Sequence, residues 1–197
     1  MFSNCMNKVL IALTTVYFIM NSFTVFASEI SQEKYDEAIK SLQVLNIIEG
    51  DEAGFRPDAL CSRAELAKLL TRVAGLEDIV NIIEGETKFK DVPKDHWSSK
   101  YIYVITSLGI AKGTSEDTFE PDADVTYEQA ITMLVRALGY EKVALSKGDY
   151  PTGYLLEAFD LNITKDYVWN DIGSKMMRKD IALLVYRCLE IPLFEDN

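Results

Sequence analysis

The chain has 197 residues, 48% apolar and 26% charged, with only 5 prolines and 10 glycines, which excludes collagen-like and low-complexity classes and argues against wholesale disorder. At this length a fold hides roughly 70% of the unfolded surface, so neither disulfides nor a metal are needed to hold it. Twenty basic residues against 31 acidic ones leave a net charge of −11, a field that repels polyanions and removes nucleic acid from the expected partners.

The amino-terminal segment reads as an export signal. Lys8 supplies a positive start, Val9 to Met20 (VLIALTTVYFIM) is almost wholly apolar, and Val25-Phe26-Ala27 places small residues before a cut at Ser28. The apolar run is shorter than the roughly 20 residues that span a bilayer. The expectation is a cleaved signal peptide over residues 1–27, a secreted product over 28–197 and no membrane span afterwards. Cleavage takes Lys8 and no acid, leaving the product one charge more negative, and it removes Cys5. Cys5 precedes the apolar run, so it does not read as a lipid-attachment cysteine.

Beyond the signal, one helical pattern recurs. Ser62-Arg-Ala-Glu-Leu-Ala-Lys-Leu-Leu-Thr-Arg72 aligns with Thr126-Tyr-Glu-Gln-Ala-Ile-Thr-Met-Leu-Val-Arg136 and with Met177-Arg-Lys-Asp-Ile-Ala-Leu-Leu-Val-Tyr-Arg187. Apolar residues share offsets 4, 7, 8 and 11 from the first residue: Leu66, Leu69, Leu70, Val73; Ala130, Met133, Leu134, Ala137; Ile181, Leu184, Val185, Cys188. That spacing lines one helix face. Ser62 with Glu65 and Thr126 with Gln129 form capping boxes, whereas Met177 is expected to lose the cap. Arg72, Arg136 and Arg187 recur near the helix ends, where cations suit the dipole.

Upstream, Leu45-Asn-Ile-Ile-Glu-Gly50, Leu108-Gly-Ile-Ala-Lys-Gly113 and Leu161-Asn-Ile163 close an earlier helix in each copy. Gly50 and Gly113 are placed where a chain leaving a helix often takes positive φ. Phe55-Arg-Pro-Asp58 and Phe119-Glu-Pro-Asp122 then form a loop whose Phe packs down while Pro ends regular structure. The third copy has neither the Gly nor the Phe-Pro loop and carries Trp169 instead. Each unit is helix, turn, loop, helix, and helices this short need a shared core. The fold class expected is all-α.

If equivalent helices pack side by side, Cys61 and Cys188 lie near opposite ends, roughly 18 Å apart at about 1.5 Å per residue. A disulfide requires Cα atoms within about 7 Å. Two packed thiols are expected.

These residues resemble the S-layer homology family in its triple-repeat form. Phe89-Lys-Asp-Val-Pro-Lys-Asp-His-Trp97 is similar to the opening of a repeat, Phe119-Glu-Pro-Asp122 to its middle and Ser62-Arg-Ala-Glu65 to its signature. The likeness covers about residues 35–190, with repeats at about 35–78, 89–140 and 150–190. It implies three helix–loop–helix repeats in a pseudo-threefold arrangement, and inter-repeat grooves that hold a secondary cell-wall polysaccharide, typically pyruvylated and linked to peptidoglycan. Within those grooves it implies Arg63 as the anion grip, Arg178 as its counterpart, Trp97 as a wall, and Gly50 and Gly113 at the turns. A guanidinium suits a ketal carboxylate because it donates two parallel hydrogen bonds. Tyr127 stands at the second repeat's Arg position, so at most two grooves are expected to bind.

Catalysis finds little support. The only histidine, His96, lies inside the opening motif, and nothing marks a nucleophile beside it. Zinc needs Cys and His clusters at short spacing. Asp122-Ala-Asp124 followed by Glu128 departs from a calcium loop, since Tyr127 stands where Gly is expected. No Gly-rich phosphate loop is present, so no cofactor, metal or catalytic residue is expected. The reading is a secreted, non-enzymatic, glycan-binding protein of a Gram-positive cell wall. The chain stops soon after Glu190, and no cargo domain is expected. Hence a second reading is a degenerate scaffold meeting other envelope proteins without binding glycan. A small wall-acting glycosidase, needing only two carboxylates, comes third.

Overall fold

The computed structural model describes residues 30–50, 54–165 and 172–194. The signal-peptide reading of residues 1–27, Cys5 and Trp169 fall outside the described residues. Those described are all-α, in eight helices with no strand: α1 (Gln32–Val44), α2 (Arg63–Val73), α3 (Glu77–Ile82), α4 (Ser99–Ser107), α5 (Tyr127–Ala137), α6 (Glu141–Lys147), α7 (Thr152–Asp160) and α8 (Arg178–Cys188). Helices α2, α5 and α8 are the recurring pattern. The short α3 and α6 belong to the repeat too, each starting 14 residues after the start of the helix before it.

Packing runs between neighbouring copies. α4 lies on α2, α7 on α5, and α1, the first helix, on α8, the last. Where these meet, three backbone hydrogen bonds close on themselves. Cys61 N–H donates to Met176 O at 2.9 Å, Met176 N–H to Val125 O at 3.0 Å, and Val125 N–H to Cys61 O at 2.9 Å. An outer set repeats the order: Arg63 N–H to Ala123 O, Tyr127 N–H to Ser174 O and Arg178 N–H to Ala59 O, at 2.8–2.9 Å. These bonds satisfy the first N–H group of α2, α5 and α8, which no helix can satisfy internally.

The apolar stripes meet around this ring. Leu66, Leu70, Ala130, Leu134, Ile181, Leu184 and Val185 are all at most 2% exposed. Cys61 and Cys188 join the same core as free, buried thiols, and burial pushes each thiol pKa up to about 12.

Capping differs in part from expectation. At α2, Ser62 Oγ accepts Glu65 N–H at 3.1 Å and Glu65 Oε2 accepts Ser62 N–H at 2.8 Å. At α5, Gln129 Oε1 accepts Thr126 N–H at 3.2 Å, while the Thr126 hydroxyl donates to Glu128 at 2.6 Å. At α8, Met177 does not cost the helix its whole cap. Asp180 Oδ2 accepts Met177 N–H at 3.3 Å, because that half of the box needs only the backbone of the first residue.

Gly50 and Gly113 require a correction. Neither has positive φ. The left-handed residues that end α1, α4 and α7 are Asn46 (φ 56°), Gly109 (φ 74°) and Asn162 (φ 60°), one residue past each terminal Leu. Asn and Gly are the types that tolerate this conformation at a helix end. Gly50 and Gly113 are needed for close approach instead. A Cβ on Gly113 would lie 2.5 Å from Ser115 O and 2.6 Å from Thr118 O, and one on Gly50 2.5 Å from the Gly54 carbonyl carbon.

Candidate functional site: two corresponding grooves

Two grooves open where the second helix of one copy meets a neighbour's turn and loop. Groove one, about 270 Å³, runs between α2 and α8. Arg178, at the start of α8, reaches across the seam. Its Nε donates to Phe55 O at 2.8 Å and its guanidinium carbon stands 4.7 Å from the centre of the Phe55 ring. Nη1 pairs with the Glu65 carboxylate. Gly50 lines the turn, and Trp97, 52% exposed, walls the mouth. Arg72 lies along the floor, with Nη2 2.9 Å from Glu49 and Nε 2.7 Å from Glu77. Burial works against the Arg72 charge, but these hydrogen bonds outweigh it and hold the pKa above the usual arginine value.

Groove two, about 370 Å³, reproduces this frame one copy further along. Arg63 is only 4% exposed. Its Nε donates to Phe119 O at 2.8 Å, its Nη2 to Lys112 O at 3.1 Å, and it lies 4.6 Å over the Phe119 ring. Burial moves its pKa below the usual value, and Glu120 and Asp91 act in the opposite sense. Gly113 takes the place of Gly50. Tyr150, two residues before α7 as Trp97 is two before α4, takes the place of Trp97 at 54% exposure. Arg136 takes that of Arg72, with Nε 2.9 Å from Glu141 and Nη2 donating to Tyr154 OH at 3.1 Å. Gln129 and Thr132 stand where groove one has Glu65 and Lys68, and the Thr132 hydroxyl is buried without a partner.

The opening motif of the second copy braces groove two. The Asp91 carboxylate accepts Phe119 N–H at 2.9 Å and Glu120 N–H at 2.6 Å. Phe89 packs on Phe119 with ring centres 5.5 Å apart. His96 Nδ1 lies 2.8 Å from Ser98 Oγ, and its Nε2 lies 3.8 Å from Asp122. At the corresponding seam of the third copy, Tyr127 replaces the guanidinium and is 1% exposed. Arg187 there donates to Ile163 O at 3.0 Å.

The five residues singled out in the sequence therefore divide between two sites. Arg178, Trp97 and Gly50 share groove one; Arg63 and Gly113 share groove two. Arg63 and Arg178 serve loops of other copies, not their own. Sequence reading passed over Tyr150 and Lys112, and it treated Arg72 and Arg136 as helix-end cations only. The spacing of Tyr150 from its helix, equal to that of Trp97, was the available signal. Both grooves are cationic in a strongly acidic chain, and the described lining of groove two contains no carboxylate.

Residues 27–67 and 88–131 match the family described as the S-layer homology domain, and the chain belongs to that family. It is similar to a cell surface protein of Thermoanaerobacter kivui, 33% identical over 163 residues, covering 81% of this chain and 20% of that protein. A surface layer protein of Brevibacillus choshinensis is 31% identical over 161 residues, 81% of this chain and 14% of that protein. A cellulosome-anchoring protein of Acetivibrio thermocellus is 32% identical over 105 residues, 51% of this chain and 23% of that protein. The chain thus spans less than a quarter of the length of each of these relatives.

Proposed function

We propose that this protein is a non-catalytic module of the bacterial cell surface, of Gram-positive type, that attaches non-covalently to wall polysaccharide through grooves one and two. The observation that carries this reading is the pairing of the grooves. Each sets a guanidinium, held by a Phe carbonyl and a Phe ring, beside an exposed aromatic and a glycine turn. The aromatic suits a sugar face, the guanidinium a carboxylate such as a pyruvate ketal, and a glycine turn lets backbone approach a ligand closely. Family membership and the surface, S-layer and cellulosome-anchoring names of its relatives support a surface-attachment role.

The test is a pull-down of the mature chain on purified walls before and after chemical removal of ketal pyruvate. Binding is expected to drop on depyruvylation; equal retention on both preparations overturns the reading. The burial of Tyr127 leaves the third seam without a guanidinium at this position, so the reading assigns glycan to grooves one and two alone.

A further inference from the structure

Grooves one and two share a frame but differ in charge pairing. In groove one Arg178 and Arg72 already have carboxylates, while Lys68 also lines the groove. Arg178 pairs with Glu65, whose other oxygen accepts Ser62 N–H at 2.8 Å, and Arg72 is held by Glu49 and Glu77. A ligand carboxylate entering there competes with Glu65 for the Arg178 fork and sits beside a like charge. In groove two the residue in the place of Glu65 is Gln129. Its Oε1 accepts Thr126 N–H at 3.2 Å, which leaves the amide nitrogen as a donor. Arg63 donates its described hydrogen bonds to backbone carbonyls, neutral acceptors that orient the guanidinium, and Glu120 and Asp91 act on it through space without a hydrogen bond to it. Lys112 and Arg136 share one acid, Glu141.

We infer that the two grooves divide the ligand: groove two takes a carboxylate-bearing sugar, groove one an uncharged stretch of glycan stacked on Trp97, and the Gln129/Glu65 difference sets the choice. This rests on the glycan-binding reading above. The physical reason is that a guanidinium with neutral partners offers a charge-assisted donor pair, whereas a paired one must first lose its acid.

Each groove carries its own reporter, the backbone amide of Gly113 or of Gly50. The test titrates the ¹⁵N-labelled mature chain with the 4,6-O-(1-carboxyethylidene) ketal of a methyl hexopyranoside, with its methyl ester as the uncharged control. The Gly113 amide is expected to shift at about tenfold lower ligand concentration than Gly50, and the ester is expected to lose that preference. Gln129→Glu weakens the Gly113 response by about tenfold, and Glu65→Gln brings Gly50 into the range of Gly113. Both substitutions keep the oxygen that accepts the helix-start N–H, so folding is preserved. If Gly50 responds first, or both respond together and neither substitution changes the order, the division is wrong while glycan binding stands. If neither amide responds and wall retention is indifferent to ketal removal, the underlying reading falls with it.

Discussion

Arg63 shows how much of a buried cation's behaviour depends on its acceptors. A guanidinium taken out of water is costly unless its donors are met. Here the Phe119 and Lys112 carbonyls and the Phe119 ring meet part of that demand. Arg63→Ala leaves those carbonyls without their donors, and an expected loss of about 2–4 kcal/mol follows, measured by urea unfolding. Arg63→Lys does not restore the full value, because an ammonium on a flexible stem cannot reproduce the planar fork. Glycan affinity and stability therefore have to be scored separately in any Arg63 variant. The presence of a cation at positions 63 and 178 was legible in the sequence from the signature spacing. Its acceptors were not, since Phe119 lies 56 residues from Arg63 and Phe55 lies 123 from Arg178.

At the scale of elements, the glycines separate two different demands. Gly109 has φ 74° with open space around its missing Cβ, whereas Gly113 lacks positive φ but is crowded by backbone. Gly109→Ala is expected to cost about 1–2 kcal/mol, the penalty of a left-handed conformation for an L-residue. Gly113→Ala is expected to cost more and to displace the turn, because two carbonyl oxygens within 2.6 Å cannot yield as a flexible side chain does. Thermal unfolding compares the stabilities, and amide shifts of Lys112 and Thr114 report the displacement. Helix ends were readable where a local residue type carries the signal, as in the Ser62 cap. The Leu-Asn-Ile and Leu-Gly-Ile turns also held such a signal, at Asn46, Gly109 and Asn162. The demand on the later glycine was not legible there, since the crowding of Gly113 by Phe89 and Thr118 is a tertiary fact.

At the scale of the molecule, the seat of α1 on α8 joins the two ends of the described chain. With the ring of bonds among Cys61, Val125 and Met176, it leaves no copy free to unfold without opening two seams. Denaturant unfolding is expected to be a single transition, coincident by tryptophan fluorescence and far-UV circular dichroism. Leu42 on α1 is fully buried. Leu42→Ala is expected to lower the whole transition by about 2–5 kcal/mol and to speed amide exchange in α5 as much as in α8. Faster exchange in α1 and α8 alone would mean that the seam opens independently.

The sequence by itself determined the all-α class, the phase of the recurring helix and its buried stripe, and the places of the guanidiniums and Trp97. These depend on residue type and on spacings within a dozen positions, where helical periodicity and capping act. Only the tertiary structure decided which arginine serves which groove, that Tyr150 mirrors Trp97, and that Glu65 neutralises one cation while Gln129 spares the other. Each groove is assembled across a seam between copies, and local pattern carries no information about which surfaces meet there.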